Sequence, residues 1–288
     1  MAGKLRSMVR RTAVAATLIV VPVATNDAAA QSPLTPAPPA TPPVAQAPVA
    51  PATGTPPGEV VPATALDPLE PLTSAGDRAL LSDEHTITRW ANAQDLSAVR
   101  SRPSPSAPKV ARLHFLTEDR VAEVYIVLEA QVDSSNRIWL RVRYPKRPHG
   151  LTGWVPQESM SDLRVVRTRL VIARGALRAT LFKNNKAIWT ARVGIGKSGT
   201  PTPLGDFYVR ERLRGSPAGG AYGPWAFGTS AYSNVSDWVG APVVGIHGTN
   251  RPGLIPGRPS AGCVRVRNDK IRALARLMPI GTPVKIIR

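Results

Sequence analysis

The chain has 288 residues, a formal net charge of +18 at pH 7, a sequence pI near 11.2 and a single cysteine. One cysteine excludes an internal disulfide, and the strong positive charge favours anionic surfaces and polymers as partners. Nucleic acid is not the predicted partner, because the sequence lacks a basic stripe interleaved with aromatic residues.

The N-terminus has the pattern of a secretory signal. Basic residues at positions 4, 6, 10 and 11 precede an apolar run from about Ala13 to Ala24, and small residues at 28–30 precede Gln31. This order predicts a signal peptide over residues 1–30 and an exported, extracytoplasmic protein associated with the cell wall, in the periplasm or at the cell surface. The apolar run is shorter than the roughly 20 residues that span a bilayer, and Pro22 interrupts it. Cleavage is therefore the favoured outcome, and retention as an N-terminal membrane anchor is the alternative.

Residues 31–81 differ in composition from the rest of the chain. They are dominated at first by Pro, Ala and Thr, with pairs such as Pro38-Pro39 and Pro56-Pro57. A segment dominated by Pro, Ala and Thr, without aromatic residues and with few charges, cannot bury enough apolar surface to offset its chain entropy. We predict a disordered tether here, a plain spacer rather than a binding segment.

Residues 82–162 contain short runs rich in Val, Ile, Trp and Tyr between Pro, Gly, Asn and Ser clusters, which predicts a small all-β domain. The predicted strands are Ile87–Trp90, Ala107–Leu116, Ala122–Leu128, Ile138–Tyr144 and Gly153–Val155. The runs 99–104, 139–142 and 152–155 resemble the bacterial SH3-like barrel found on wall-associated enzymes. That resemblance implies wall binding or substrate positioning; packing on the next domain is the alternative.

Residues 163–288 are long enough for a second domain with its own core, and they also have mainly strand patterns. The predicted strands are Leu170–Ala173, Ala179–Lys183, Lys186–Val193, Asp206–Arg210, Val243–His247 and Pro283–Ile287, with Asn184-Asn185 as a hairpin turn. One helix is predicted after Asn268, which we assign as its N-cap, because apolar residues at 271, 274, 275 and 278 recur at helical spacing.

Cys263 is the candidate nucleophile of this second domain. It lies in the run Ser260–Asn268, sixteen positions after His247, which ends an apolar strand. A thiol with a pKa of about 8.5 needs a base or a positive charge to react at neutral pH, and His247 and Arg265 could supply these. If residues 263–267 are extended, Cys263 and Arg265 share a face, which places Arg265 to anchor an anionic group of the substrate. A buried, inert cysteine or an intermolecular bridge are the alternatives.

Several motifs in order resemble one enzyme family. The runs His247-Gly248-Thr249-Asn250 and Ser260-Ala261-Gly262-Cys263-Val264-Arg265, followed by Asn268, resemble the signature of the YkuD-type L,D-transpeptidases. The upstream runs 194–196 and 200–207 are similar to the segment that enters the family's site. Ala261 departs from many members, which carry a polar residue there.

The resemblance implies a mainly β fold, a small SH3-like barrel followed by a β-rich L,D-transpeptidase catalytic domain with one clear helix. It also implies a peptidoglycan cross-linking enzyme. Cys263 would attack a donor tetrapeptide stem, release D-alanine and form a thioester that an amine of a neighbouring stem resolves. His247 would move the protons, oriented by the backbone carbonyl of Gly248, and the N–H groups of Gly262 and Cys263 would form the oxyanion hole.

The remaining site assignments are weaker. Ser260, Asn268 and Tyr222 are candidate substrate-binding residues, with support of the cysteine loop, helix capping and loop packing as their alternatives. The segment 222–225, with Asn234, is a candidate lid in a Gly-rich loop. No cofactor is implied, and the scattered His85, His114 and His149 suggest no metal.

Two further functions remain open. Water as the acceptor would make the same site an L,D-carboxypeptidase, and a non-catalytic wall-binding protein would use the first domain as its active module. Sortases are disfavoured because their histidine lies far upstream of the cysteine. The predicted partners are peptidoglycan stem peptides and anionic cell-wall polymers, and we predict a monomer.

Overall fold

The chain folds as a mainly β protein. The computed structural model describes residues 72–215, 220–233 and 243–288, all within one compact unit. The predicted signal peptide, residues 31–71 of the predicted tether, and Asn234 lie outside the described residues. The predicted fold class, mainly β with one clear α-helix, is confirmed. Within the described ranges, none of the helices has the length and apolar character that crossing a membrane requires.

The first part of the described chain forms an antiparallel sheet, here called the N-terminal sheet. Its strands are β1 (Arg78–Leu80), β2 (Thr88–Ala91), β3 (Ala98–Arg100), β4 (Lys109–Arg112), β5 (Tyr125–Val132), β6 (Ile138–Arg143), β7 (Thr152–Pro156) and β8 (Arg164–Val166). They lie in the order β4-β3-β7-β6-β5-β2-β8, and β1 pairs with β5. A short 3₁₀ helix, Gln157–Ser159, follows β7.

The limits of this sheet differ from those predicted. β1 falls inside the range assigned to the tether, and β8 lies beyond residue 162. Leu81 is buried with Tyr125 and Val142 in the core of the sheet, so residues before 82 belong to this sheet. The likeness of this sheet to an SH3-like barrel stays a prediction.

The second part forms a mixed sheet, here called the C-terminal sheet. Its strands are β9 (Thr168–Ala173), β10 (Arg178–Lys183), β11 (Lys186–Gly196), β12 (Gly205–Arg214), β13 (Trp225–Tyr232), β14 (Val243–His247), β15 (Gly257–Ser260), β16 (Val264–Val266) and β17 (Pro283–Ile287). The order is β10-β9-β17-β12-β13-β14-β16-β11-β15, and pairing of β10 with β11 closes the sheet on itself. Asn184 and Asn185 form the predicted hairpin turn, with φ angles of 49° and 61°.

The single described α-helix, α1 (Asn268–Leu277), packs its apolar side into the core of the C-terminal sheet. Ile271 and Leu274 are fully buried there beside Val264 and Val266 of β16. The prediction of the helix was correct, but the assignment of Asn268 as its N-cap was wrong. Asn268 is the first helical residue, and Arg267 occupies the N-cap without a side-chain capping bond. A 3₁₀ helix, Pro252–Leu254, lies between β14 and β15.

Buried polar contacts join the two sheets. Arg210 of β12 forms a two-point ion pair with Glu123, and their side chains are 1% and 0% exposed. Tyr208 of the same strand donates its hydroxyl hydrogen bond to the carbonyl of Val124 at 3.0 Å. The C-terminal sheet therefore packs on the N-terminal sheet through satisfied polar groups as well as apolar ones.

Candidate active site

Two adjacent strands bring the predicted site residues together. β14 and β16 run parallel, with Ile246 opposite Val264 and His247 opposite Arg265. Ile246 and Val264 are buried in the core. Because side chains alternate along a strand, His247 and Arg265 lie on the opposite face, and Cys263 directly precedes β16 with the same parity as Arg265. The register therefore places the thiol, the imidazole and the guanidinium on one face.

The orientation of His247 is fixed by its neighbour. Its Nδ1 lies 2.6 Å from the carbonyl oxygen of Gly248, the bond expected from the sequence. A carbonyl only accepts, so Nδ1 carries the proton and Nε2 of the neutral ring is free of one. Burial lowers the pKa of His247 to about 4, and the charge of Arg265 acts in the same direction. The ring is therefore neutral at pH 7. Its pKa lies further below pH 7 than the ordinary value of about 6.5.

The thiol of Cys263 is also neutral at rest. Burial raises its pKa, although a hydrogen bond from the Gly245 N–H to Sγ, at 3.4 Å, and the charge of Arg265 both act to lower it. The expectation that His247 and Arg265 depress this pKa was wrong in its net sign, because desolvation outweighs the favourable charge. The imidazole and the sulfur share one space: a Cβ on Gly245 would lie 3.7 Å from His247 Cδ2 and 3.9 Å from Sγ.

The loop before the nucleophile has a backbone that only glycine adopts easily. Gly262 has a φ of 127°, a region that L side chains rarely occupy. Ser260 donates to the carbonyl of Cys263 at 2.6 Å and accepts from the Gly262 N–H at 3.2 Å. Ser260 thus supports the cysteine loop. The Gly262 N–H, predicted as an oxyanion-hole donor, is engaged by this hydroxyl in the resting structure.

Two side chains that the sequence analysis did not assign hold the same loop. Thr202 donates to the carbonyl of Gly262 at 2.7 Å and also accepts the Gly196 N–H at 2.9 Å. Ser233 donates to the carbonyl of Ala261 at 2.9 Å. Thr202 lies in the segment 200–207 that resembles the family's entry region, and this resemblance was the only feature of the sequence that could have pointed to it. Nothing in the local sequence distinguishes Ser233.

The chain can be compared with known proteins on this basis. Residues 167–286 match the model of the YkuD family, the L,D-transpeptidase catalytic domain. YkuD of Bacillus subtilis (strain 168), named as an L,D-transpeptidase, is 33% identical over 129 residues, which cover 45% of this chain and 71% of the relative. The chain belongs to the YkuD family of L,D-transpeptidases.

Two further proteins are similar to this chain. YbiS of Escherichia coli (strain K12), also named as an L,D-transpeptidase, is 34% identical over 110 residues, which cover 37% of this chain and 34% of the relative. A crystal structure of an L,D-transpeptidase from Mycobacterium tuberculosis H37Rv is 12% identical, with coverage of 53% of this chain and 90% of that one and a TM-score of 0.35.

In this L,D-transpeptidase domain, the side chain of Asn268 holds the loop that follows His247. Its Oδ1 accepts the Thr249 N–H at 2.9 Å. Gly248 permits this approach: a Cβ there would lie 2.9 Å from the Cα of Gly223 and would also collide with Asn268 Oδ1. The bond from the Gly248 N–H to the carbonyl of Trp225, at 3.1 Å, holds the other side of the loop.

Tyr222 and Arg265 line the approach to the sulfur in this domain. The Tyr222 ring meets the His247 ring edge to face, with centroids 4.8 Å apart, and the residue is 39% exposed. Burial raises the pKa of Tyr222. Arg265 Nε is buried without a hydrogen-bond partner among the described residues. Part of the predicted lid is not a loop, since β13 begins at Trp225.

Proposed function

We propose that this protein is a peptidoglycan L,D-transpeptidase that uses Cys263 as its nucleophile. The observation that carries the proposal is the shared face of the sulfur, the Nδ1-protonated imidazole of His247 and the Arg265 guanidinium, within a chain of this family. Nε2 of His247 is the ring atom free to accept a proton, as a base for a neutral thiol requires.

The first half-reaction forms a thioester. Sγ attacks the carbonyl carbon between the third residue of a donor tetrapeptide stem and its terminal D-alanine, while His247 Nε2 takes the thiol proton. Both groups are neutral at rest, so proton transfer accompanies formation of the C–S bond. The C–N bond then breaks, and the imidazolium returns the proton to the departing amine of D-alanine.

The second half-reaction forms the cross-link. An amine of a neighbouring stem attacks the thioester carbonyl and gives a proton to His247. The C–S bond breaks, and the proton passes to the thiolate, which restores the resting pair. Backbone N–H groups of Gly262 and Cys263 are the proposed oxyanion donors, and the loss of one such donor typically costs about 3–4 kcal/mol. Binding of the oxyanion would replace the Ser260 hydroxyl as partner of the Gly262 N–H.

A carbapenem tests the nucleophile. Incubation of the wild-type protein should add one drug mass, and Cys263→Ala should abolish the adduct while the fold is retained. His247→Gln keeps the thiol but removes the base, so the adduct should form about 10²–10⁴-fold more slowly. Absence of any adduct on folded wild-type protein would favour the non-catalytic wall-binding alternative.

A disaccharide-tetrapeptide substrate distinguishes the two enzymatic alternatives. Cross-linked dimers indicate transpeptidation, whereas release of D-alanine with only tripeptide product indicates L,D-carboxypeptidase activity. The proposed location outside the cytoplasm, as the wall substrate requires, is tested by fractionation of cells that express the full chain, followed by N-terminal sequencing to find whether residues 1–30 are cleaved or retained as an anchor.

We also propose that the β10–β11 hairpin binds anionic wall polymers. No Asp or Glu occurs between Leu163 and Gly205. On this hairpin Arg178 lies opposite Arg192, and Lys183 lies opposite Lys186, all four exposed. None of the four forms an ion pair within the described part of the chain. Like charges directly opposite each other destabilise a sheet, so a polyanion that neutralises both pairs fits this surface.

Cosedimentation with purified peptidoglycan tests the hairpin. Arg178→Gln/Arg192→Gln should weaken binding several-fold in low salt, and the difference should vanish at high salt because exposed charges are screened. The matched control, Arg102→Gln/Arg120→Gln, removes the same charge from exposed positions of the N-terminal sheet. Equal weakening by both pairs would refute a specific surface and leave only net charge.

A further inference from the structure

One residue of β13 is held at two points by the N-terminal sheet. The Tyr232 N–H donates to Nε2 of His149, in the connection between β6 and β7, at 3.0 Å. The Tyr232 hydroxyl donates to Oε1 of Glu118 at 2.8 Å. Backbone and side chain are thus fixed by different groups, both outside the L,D-transpeptidase domain.

The next residue touches the loop that carries the nucleophile. Ser233 is 7% exposed, and its hydroxyl donates to the carbonyl of Ala261 at 2.9 Å. The same oxygen lies 3.1 Å from the position that a Cβ on Gly262 would take. Ser233 therefore packs against the two residues that precede Cys263. Its hydrogen bond adds to those that Ser260 and Thr202 make with the same loop.

The anchors of Tyr232 are themselves rigid. Glu118 pairs with Arg210 at 2.9 Å, and Arg210 is locked by Glu123. The His149 ring packs edge to face on Phe207, with centroids 5.1 Å apart. Because packed, hydrogen-bonded groups of this kind lose little entropy on further ordering, they can hold a neighbouring loop within about 0.5 Å of one position.

We propose that His149 is a positioning residue for Cys263, acting through Tyr232 and Ser233 on the cysteine loop. The N-terminal sheet is then a structural part of the active site. Its effect on peptidoglycan transfer rests on the proposed function, but its effect on the geometry of the thiol does not. A misplacement of about 1 Å at a reacting atom can lower a rate about 10²-fold.

A pair of substitutions separates the hydrogen bond from the packing. His149→Phe keeps a ring against Phe207 but leaves the Tyr232 N–H without its acceptor, whereas His149→Gln keeps an acceptor oxygen. The matched control is His114→Phe, the same change at an exposed histidine of the N-terminal sheet. We expect carbapenem acylation to slow at least tenfold in His149→Phe and to stay within threefold of wild type in His149→Gln and His114→Phe.

Alkylation of Cys263 by iodoacetamide, followed by mass spectrometry, gives a second measurement that needs no transpeptidase activity. We expect its rate to change at least threefold in His149→Phe and not in His149→Gln. If wild-type protein forms no carbapenem adduct, the proposed function fails while this arm still decides the positioning role. If His149→Phe does not fold, His149→Leu, which also removes the acceptor of the Tyr232 N–H, should slow both reactions by threefold or more.

Two results would overturn the proposal. The first is a wild-type rate of alkylation in folded His149→Phe or, where that variant does not fold, in His149→Leu. The second is equal slowing in His149→Phe and His149→Gln, because Gln keeps an acceptor for the Tyr232 N–H and the effect would then not depend on that hydrogen bond.

Discussion

Breaking the buried ion pair between Arg210 and Glu123 from one side should destabilise the fold strongly. Glu123 accepts two hydrogen bonds from Arg210 and a third, at 3.0 Å, from the Val124 N–H. Burial disfavours the charged guanidinium, yet the hydrogen bonds and charge of Glu123 outweigh it and raise the pKa of Arg210. Glu123→Gln would leave a buried cation with an amide in place of its carboxylate.

The magnitude follows from burial and from the remaining partner. Removal of one member of a buried pair costs about 3–5 kcal/mol because the other charge stays uncompensated. Glu118, 33% exposed, still contacts Arg210, so we expect the lower end, about 3 kcal/mol. For a protein of this size that corresponds to a Tm lower by roughly 6–12 °C. Urea unfolding of the full chain, followed by tryptophan fluorescence, measures it.

Two further variants test the reasoning. Arg210→Met/Glu123→Leu removes both charges together and should lose less stability than Glu123→Gln alone. Glu158→Gln removes the partner of Arg137 in an exposed pair, with side chains 42% and 59% exposed, and should change stability little. A loss below 1 kcal/mol in Glu123→Gln, or a double variant less stable than the single one, would refute the argument.

Three other predictions follow from the site and the interface. Gly262→Ala forces a side chain into a backbone conformation costing about 1–2 kcal/mol and against Ser233, so carbapenem acylation should slow at least tenfold; an unchanged rate would contradict the strain. The alkylation rate of Cys263 should keep rising with pH beyond the ordinary thiol range, because burial raises its pKa; a plateau near pH 6 would instead indicate a thiolate–imidazolium pair. Burial raises the pKa of Glu211 to about 8, so the folded chain retains a proton that the unfolded chain releases near pH 4, and stability should fall between those values. Glu211→Gln should remove that fall in urea unfolding at pH 5 and pH 8.5, and an unchanged fall would place its origin elsewhere.

The sequence predicted those elements whose signals are local. The strand that ends at His247 and the closing strand at 283–287 match the observed β14 and β17, because each is a bounded apolar run. The Asn184-Asn185 turn was predictable because asparagine tolerates positive φ. The buried side of α1 follows from helical spacing of its apolar residues.

Elements without a local signal were missed. β13 has the sequence Trp-Ala-Phe-Gly-Thr-Ser-Ala-Tyr, whose small residues suggested a loop; it is a strand because β12 and β14 pair with both its edges. Asn268 is of a residue type that often caps helices, but its hydrogen bond with the N–H of Thr249, nineteen residues away, determines its role. The role of Ser233 depends on contacts with Ala261 and Gly262, about thirty residues away in the chain.

The electrostatics of the site were beyond sequence reasoning for the same reason. His247 and Cys263 both have net shifts set first by desolvation. Desolvation depends on how many atoms surround a group, which pairwise spacing in the sequence does not describe. The residue types and their shared face could be inferred, whereas their resting protonation states required the packed structure.

The strand that leads into the nucleophile, β15, lies at the end of the C-terminal sheet and pairs with β11 on one side. An edge strand next to a reactive group can pair with a strand of another molecule, which would block access to that group. The four residues of β15 are Gly-Arg-Pro-Ser. Pro259 has no N–H that could donate to an added strand, and Arg258 places a positive charge at the edge of the sheet. The composition of β15 thus disfavours the addition of a further strand at this edge of the sheet, next to the thiol.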